Sequence, residues 1–310
     1  MYDLITVGDS TYDIFIKPHE AEVLRSTKSV SLRVPYEKLL CFAYGDKIEV
    51  ENVQYSLGGT ACNVAVGAAR LGLKTGLMSF CGADAMGEKI KSLIEKENID
   101  LVNFITDKKI HSTYSFVLSY RNDRTILVYR DKFDYTKMKV RKVKNTKWLY
   151  LSSLGSGYEK DAISLAAEKN IKIAINPGKK QLEEKKKDFM LLLKLAEVVF
   201  LNKEEVEMLL GARFPLTIEE IYYKISGLGI KNVIVTDGAN GAYAKVDKKI
   251  IYQPARSAKV VETTGAGDAF ASGFLAIYIK EGDIKKSLLQ GVKNGASVVE
   301  QIGAQAGLIH

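Results

Sequence analysis

The chain has 310 residues, 46% of them hydrophobic and 26% charged, which suits one large globular domain with a sizeable core and excludes disordered and fibrous classes. Its formal charge of +8 is spread among carboxylates, as in Glu183-Glu-Lys-Lys-Lys-Asp188, so it reads as solvated helix surface and no nucleic-acid partner is expected. Cys41, Cys62 and Cys81 have neither metal-site spacing nor an even count, no apolar run approaches a membrane span, and Met1 to Gly8 lacks a basic leader; free thiols and a cytoplasmic location without a membrane partner are the expectation.

In chain order, Leu4 to Val7 reads as a strand that runs into Gly8-Asp-Ser-Thr-Tyr-Asp13, whereas Lys17 to Asp46 is mixed and carries no assignment. Ile48 to Tyr55 alternates in part and predicts a strand leading to Gly58-Gly59. Asn63 to Leu71 is Ala-rich and helical, with Gly72 as its C-terminal stop. Thr75 to Phe80 is a further strand, followed by Gly82-Ala-Asp84-Ala-Met-Gly87 and an amphipathic helix over Glu88 to Glu97. Thr113 to Tyr120 and Thr125 to Arg130, joined by Arg121-Asn-Asp-Arg124, predict a hairpin that projects from the main sheet.

From Trp148 onward strands and helices alternate, which predicts a parallel sheet. The strands are Leu149 to Ser152, Lys172 to Ile175, Val198 to Leu201 and Asn232 to Thr236, with a hairpin-like Gly241 to Tyr252. The helices cover Lys160 to Lys169, Lys187 to Leu195, Lys203 to Leu210, the segment after Asp268, and Ile284 to Gln301. No internal repeat or low-complexity linker marks a boundary, so residues 1–310 are taken as one domain.

The run Glu262-Thr-Thr-Gly-Ala-Gly-Asp-Ala-Phe270 carries the most chemistry. Phe270, Phe274, Ile277 and Tyr278 recur at helical spacing, which puts Gly265-Ala266-Gly267 at a helix N-terminus, where unpaired N–H groups and the helix dipole favour an anion. Small residues admit a terminal phosphate, and Asp268 beside it can take the proton of an attacking hydroxyl. Gly58-Gly-Thr-Ala-Cys-Asn63 is a tight strand-to-helix turn, or else a close approach to a hydroxylated ligand that Asn63 binds through both amide atoms. Asp13, just past the first strand, suits a pair of sugar hydroxyls at the ligand edge of a parallel sheet, with turn capping by Asp9, Ser10 or Asp13 as the plain alternative.

Asn202-Lys-Glu-Glu205 has the spacing of a capping box, and its groups could also order magnesium-bound water around phosphates. Thr236-Asp-Gly238-Ala-Asn-Gly241 is either a hairpin turn or a nucleotide contact. His19, His111 and His310 lack metal-ligand spacing, and no Walker-type Gly-x-x-x-x-Gly-Lys element is present.

In order, Gly58-Gly59, Asn63, Ala69-Arg-Leu-Gly72, Asn202-x-x-Glu205, Thr236-x-Gly238 and Gly265-Ala-Gly-Asp268 resemble the motifs of the ribokinase-like (PfkB) sugar and nucleoside kinases over nearly the whole chain, with Gly82-x-Asp84-x-x-Gly87 and Gly303-Ala-Gln305 fitting the same pattern. The resemblance implies a doubly wound, mostly parallel α/β core flanked by helices, with a small β lid from strands within about residues 14–57 and 112–131 and with Tyr114, Phe116 and Tyr129 facing the substrate. It implies ATP and Mg²⁺, transfer of the γ-phosphoryl group to a hydroxymethyl group, Asp268 as base, and Gly265, Ala266 and Gly267 as anion hole. Asp13, Gly58, Gly59 and Asn63 would hold the acceptor; Asn202, Glu205, Thr236, Gly238 and Gly241 the nucleotide and its metal shell.

Two positions depart from the pattern. Glu262 stands where the family usually has an Asp tied to a monovalent-cation site, which leaves potassium activation open, and Ala174-Ile-Asn-Pro-Gly178 lacks an Asp that Lys179 or Lys180 would compensate. The acceptor is a sugar, sugar phosphate or nucleoside; a binding or regulatory protein without turnover is the rival class. Exposed lid edges would favour a homodimer through lid strands.

Overall fold

In the computed structural model of the chain, the described residues are 1–25, 38–121, 123–152, 157–169, 171–246 and 249–310. Residue 122 of the hairpin turn, residues 247–248 of the Gly241 to Tyr252 hairpin and residues 26–37 of the unassigned stretch lie outside them.

The backbone of the molecule is a nine-stranded sheet. From one edge it runs Lys249–Gln253, Ala242–Val246, Val233–Thr236, Val198–Asn202, Lys172–Ile175, Thr146–Leu151, Tyr2–Val7, Thr75–Met78 and Asp100–Leu101. All neighbours are parallel except at Lys249–Gln253 and Ala242–Val246, which close one edge as antiparallel strands.

Both faces of this sheet are buried, and strand alternation divides the core between them. Ile5, Val7, Leu149, Leu151, Ile173, Ile175, Val199, Leu201, Val233 and Val235 point into one apolar layer, shared with Leu165, Leu192, Val206 and Ile221 of the helices Glu159–Lys169, Lys187–Leu195, Lys203–Leu210 and Ile218–Leu228. The intervening Leu4, Trp148, Tyr150, Ala174, Val198, Phe200 and Ile234 point the other way, against Val64, Phe274 and Leu288 of the helices Thr60–Arg70, Ala266–Glu281 and Ile284–Val298. The doubly wound reading therefore holds.

A second, four-stranded sheet stands apart, in the order Asp123–Tyr129, Tyr114–Tyr120, Thr11–Pro18, Val50–Gly58. The hairpin is antiparallel, as expected, and a further hairpin pairs Glu22–Arg25 with Lys38–Cys41.

Several details differ from the sequence reading. Thr11–Pro18 is a strand, so Asp13 lies inside the small sheet, opposite Ser56 and Ser115, and not in a loop capping the first strand. Ser79 splits Thr75 to Phe80 into two strands belonging to different sheets. The helix Ile218–Leu228 went unread, although Thr217 and Glu220 form a reciprocal capping box at its start. Tyr114, Phe116 and Tyr129 share a face with Tyr12 and Tyr55, opposite to the one that carries Asp13 and Ser115. The side chains alternating with Tyr114 and Phe116, namely Ser115 and Val117, are on Asp13's face.

Candidate active site

The helix Ala266–Glu281 begins at Gly265, whose φ of 80° and ψ of 0° are left-handed. A Cβ there would also lie 2.4 Å from that of Ala304, so glycine is required twice over. Asp268 follows in the first turn. Its Oδ2 accepts a 2.8 Å hydrogen bond from Asn63 Nδ2, on the helix that follows Gly58-Gly59, although 205 residues separate the two.

Asn63 is held in turn. Gln305 Nε2 donates to Asn63 Oδ1 at 2.8 Å, which directs the amide N–H toward Asp268, and Arg70 Nη1 donates to the Gln305 carbonyl at 2.8 Å. Arg70 makes a two-pronged pair with Glu97, at 2.9 and 2.7 Å. Asn63 thus spends both amide atoms on protein partners and has one N–H left for an acceptor, fewer contacts than its type alone suggests.

Asp268 keeps some solvent contact, yet the protein around it desolvates the carboxylate. That burial raises its pKa to about 7; the Asn63 hydrogen bond opposes the rise, the charge of Glu205 adds to it, and a bond with Thr60 opposes it again. A carboxylate poised near neutrality in a cleft suits a general base.

Asp13 lies against Gly58, the residue before the Gly59 cap of the Asn63 helix. Its Oδ2 lies where a Cβ on Gly58 would come within 2.0 Å, so the glycine is what lets the strand pass. Thr11 Oγ1 donates to Asp13 Oδ1 at 3.1 Å; burial raises the Asp13 pKa, bonds with Ser115 and Thr11 lower it, and Glu262 raises it. Asp9, its competitor, is occupied: Arg130 stands 3.2 Å away and the Tyr135 hydroxyl donates at 3.1 Å.

On the other side of the Gly265 turn is a cavity of about 580 Å³. Thr236, Gly238 and Gly241 line it together with Ala266 and Gly267, so three of the residues expected to meet a nucleotide do share a space with the expected anion hole. Phe270, Val260, Val292 and Val299 supply apolar wall, and Arg256 a cation. The walls from the last helix and from residues 255–260 carry no motif in the sequence; Gly295 and Ala296, small residues on a helix beside the turn, are the local signal for them.

Asn202 and Glu205 do not line that cavity. They form the capping box of Lys203–Leu210, with Asn202 N–H donating to Glu205 Oε2 and Glu205 N–H to Asn202 Oδ1, both at 2.8 Å. Glu205 is half-buried; burial raises its pKa, the Asn202 backbone bond lowers it, and Glu204 raises it. Glu262 is buried and ion-paired, its Oε1 3.2 Å from Arg124 Nε and 2.8 Å from the Thr264 N–H. Arg124 Nη1 also donates to Thr263 Oγ1 at 2.8 Å, which ties the small sheet's hairpin to the turn ahead of Asp268. In the sequence Arg124 reads only as part of a turn, and nothing there marks a contact across 139 residues.

Lys179 and Lys180 open the short helix Lys179–Glu184 and face Glu183 and Glu184 at 3.9 and 3.8 Å. Among the described residues no cluster of three acidic, His or Cys side chains could hold a metal by itself, and no helix is long and apolar enough to cross a membrane.

Residues 26–310 match the family model of the pfkB family carbohydrate kinases. Among curated relatives, a ribokinase of Haemophilus influenzae is 26% identical over 276 residues, covering 85% of this chain and 88% of the relative. A nucleoside kinase of Methanocaldococcus jannaschii is 25% identical over 265 residues, covering 84% and 85%. The solved structure of Arabidopsis thaliana ribokinase complexed with ribose and ATP superposes with a TM-score of 0.77 at 20% identity, covering 99% of this chain and 96% of that one.

Proposed function

This chain belongs to the pfkB family of carbohydrate kinases, has the ribokinase-like α/β fold and is a phosphotransferase with an alcohol acceptor; we propose that it moves the γ-phosphoryl group of ATP to a hydroxymethyl group of a sugar or nucleoside. The observation that carries this reading is the Asn63–Asp268 contact. It joins the acceptor-side turn to the phosphate-side turn at one carboxylate with a pKa near 7.

The nucleotide occupies the cavity between Thr236, Gly238, Gly241 and the Ala266-Gly267 turn, with its terminal phosphate against the first-turn N–H groups. The acceptor lies between Asp13, Gly58-Gly59 and Asn63, under the four-stranded sheet, which acts as a lid of the single domain. Asp268 takes the hydroxyl proton as the oxygen attacks in line. N–H donors preorganised around the transferring group supply most of the stabilisation, because little covalent work falls to the protein in this reaction. Closure of the lid keeps water from competing as acceptor.

The donor set fits Mg²⁺ of the kind that keeps several waters and leans on the nucleotide: Glu205, half-buried and close enough to Asp268 to raise its pKa, would hold such a water, with Asn202 fixing its carboxylate. Bound there, Mg²⁺ would neutralise phosphate charge. Arg124 pairs with Glu262 through Oε1 and supplies a positive charge where a potassium ion would sit, while Glu262 Oε2 is buried without a hydrogen-bond partner; the ion pair argues against a resident potassium ion.

Replacing Asp268 with Asn is expected to lower kcat by about 10²–10⁴-fold while ATP affinity, measured by titration calorimetry, changes little. Full turnover in that variant would remove the base assignment.

A further inference from the structure

A pocket of about 320 Å³, distinct from the cavity beside the Gly265 turn, lies between the Tyr114–Tyr120/Asp123–Tyr129 hairpin and the paired strands Glu22–Arg25 and Lys38–Cys41. Four of its ten lining residues are cations, Arg25, Lys38, Arg121 and Arg124, against one carboxylate, Asp123. Asp123 Oδ1 accepts the Arg124 backbone N–H at 2.9 Å and forms no ion pair with the four. Arg25, Lys38 and Arg121 have no acidic partner among the described residues.

Arg25 and Lys38 are directly opposed across the antiparallel pair, an arrangement that like charges destabilise unless an anion lies between them. Arg121 has a left-handed φ of 49°, as the two-residue connection between Tyr120 and Asp123 requires, and its guanidinium stands 5.3 Å from the Tyr120 ring. Arg124 spans two environments, lining this pocket while donating to Thr263 two residues before Gly265.

We propose that the pocket is an anion site for a phosphate monoester, and that Arg124 links its occupancy to the turn ahead of Asp268. Guanidinium and ammonium groups lining one small cavity, three of them without an acidic partner among the described residues, match a dianionic, multi-acceptor group better than a carboxylate or a neutral sugar. The monoester is either the acceptor's own phosphate or a separate effector of turnover; both roles rest on the kinase reading above, whereas anion binding in the pocket does not.

The test is calorimetric titration of inorganic phosphate into the full chain at constant ionic strength, with a non-hydrolysable ATP analogue saturating the nucleotide cavity. The wild type and an Arg25→Ala/Lys38→Ala variant are compared, with Lys172→Ala, a cation elsewhere on the surface, as the charge control. Loss of at least about tenfold in affinity in the double variant alone supports the site. Equal binding in all three, equal losses in both variants, or no binding to the wild type overturns it.

Steady-state rates then separate the sources. If the phosphate is the acceptor's, sugar monophosphates have the higher kcat/KM and lose it in the double variant, while the corresponding free sugars are unaffected. If it is an effector, free sugars or nucleosides are the acceptors, and inorganic phosphate shifts their KM in the wild type only. Failure of the kinase reading has a different signature: no ATP consumption with any acceptor, while phosphate binding and its loss in the double variant persist.

Discussion

Asp268 carries its own pH prediction. Burial raises its pKa to about 7, and a base must be deprotonated, so kcat/KM should fall as pH drops below about 7. The direction of each perturbation separates the neighbours. Asn63 stabilises the charged form, so Asn63→Ala should move this acid limb to higher pH, and Gln305→Ala, which frees the Asn63 amide to turn, should move it the same way by less. Glu205 repels the charge, so Glu205→Gln should move the limb to lower pH while leaving the capping box able to form. Profiles of kcat/KM over about pH 5 to 9 read all three, and identical limbs would show that Asp268 is not the titrating group.

At the scale of elements, two junctions are expected to be sensitive for different reasons. Gly265→Ala places a side chain where the backbone is left-handed, costing roughly 1–2 kcal/mol, and against Ala304 as well. The helix start must shift, so kcat should fall more than about tenfold with only a modest loss of melting temperature, because the donors lose their aim before the core loses its packing. Asp84 is instead architectural. It caps Ala85–Lys96 through Gly87 N–H at 2.8 Å, and its two oxygens also take the Ser112 N–H at 2.8 Å and hydroxyl at 2.6 Å, which fixes the helix to the root of the small sheet. Burial opposes its charge, but the Ser112 and Gly87 bonds prevail and hold its pKa below the ordinary value.

The sign of that shift sets the pH window. A depressed pKa contributes stability that is complete above the unfolded carboxylate range and is lost as pH falls below about 4. Asp84→Ala should therefore cost about 1–2 kcal/mol near neutrality, and urea titrations should show the gap from wild type narrowing in acid. A gap that stays constant with pH would mean that the contact acts through shape and not charge.

At the scale of the whole molecule, Arg124 ties the small sheet to the turn ahead of Asp268 by pairing with Glu262 and donating to Thr263. Because the chain provides this cation itself, exchanging potassium for tetramethylammonium at equal ionic strength should leave kcat unchanged; a clear dependence on potassium would contradict it. The small sheet also leaves Asp123–Tyr129 as an edge, with Leu127 and Val128 53% and 55% exposed. An apolar edge strand of this kind favours pairing with a second copy. Light scattering is expected to show a dimer that Leu127→Lys converts to a monomer; a monomeric wild type would end that proposal.

The sequence by itself determined the periodicities, and through them the doubly wound sheet, most helix positions and the small-residue turn that opens the Asp268 helix. A run such as Gly265-Ala-Gly-Asp268 states its chemistry locally, because a helix start needs only adjacent residues to present its N–H groups. Thr11–Pro18 and Ile218–Leu228 had local signals too, an alternating run and a Thr217-to-Glu220 box, which competing turn residues obscured. Only the tertiary structure decided which face of the small sheet carries Asp13, that Asn63 spends its amide on Asp268 and Gln305, and that Arg124 neutralises Glu262. Each of these depends on contacts between segments far apart in the chain, and side-chain direction there is fixed by register and packing, which no short window of sequence contains.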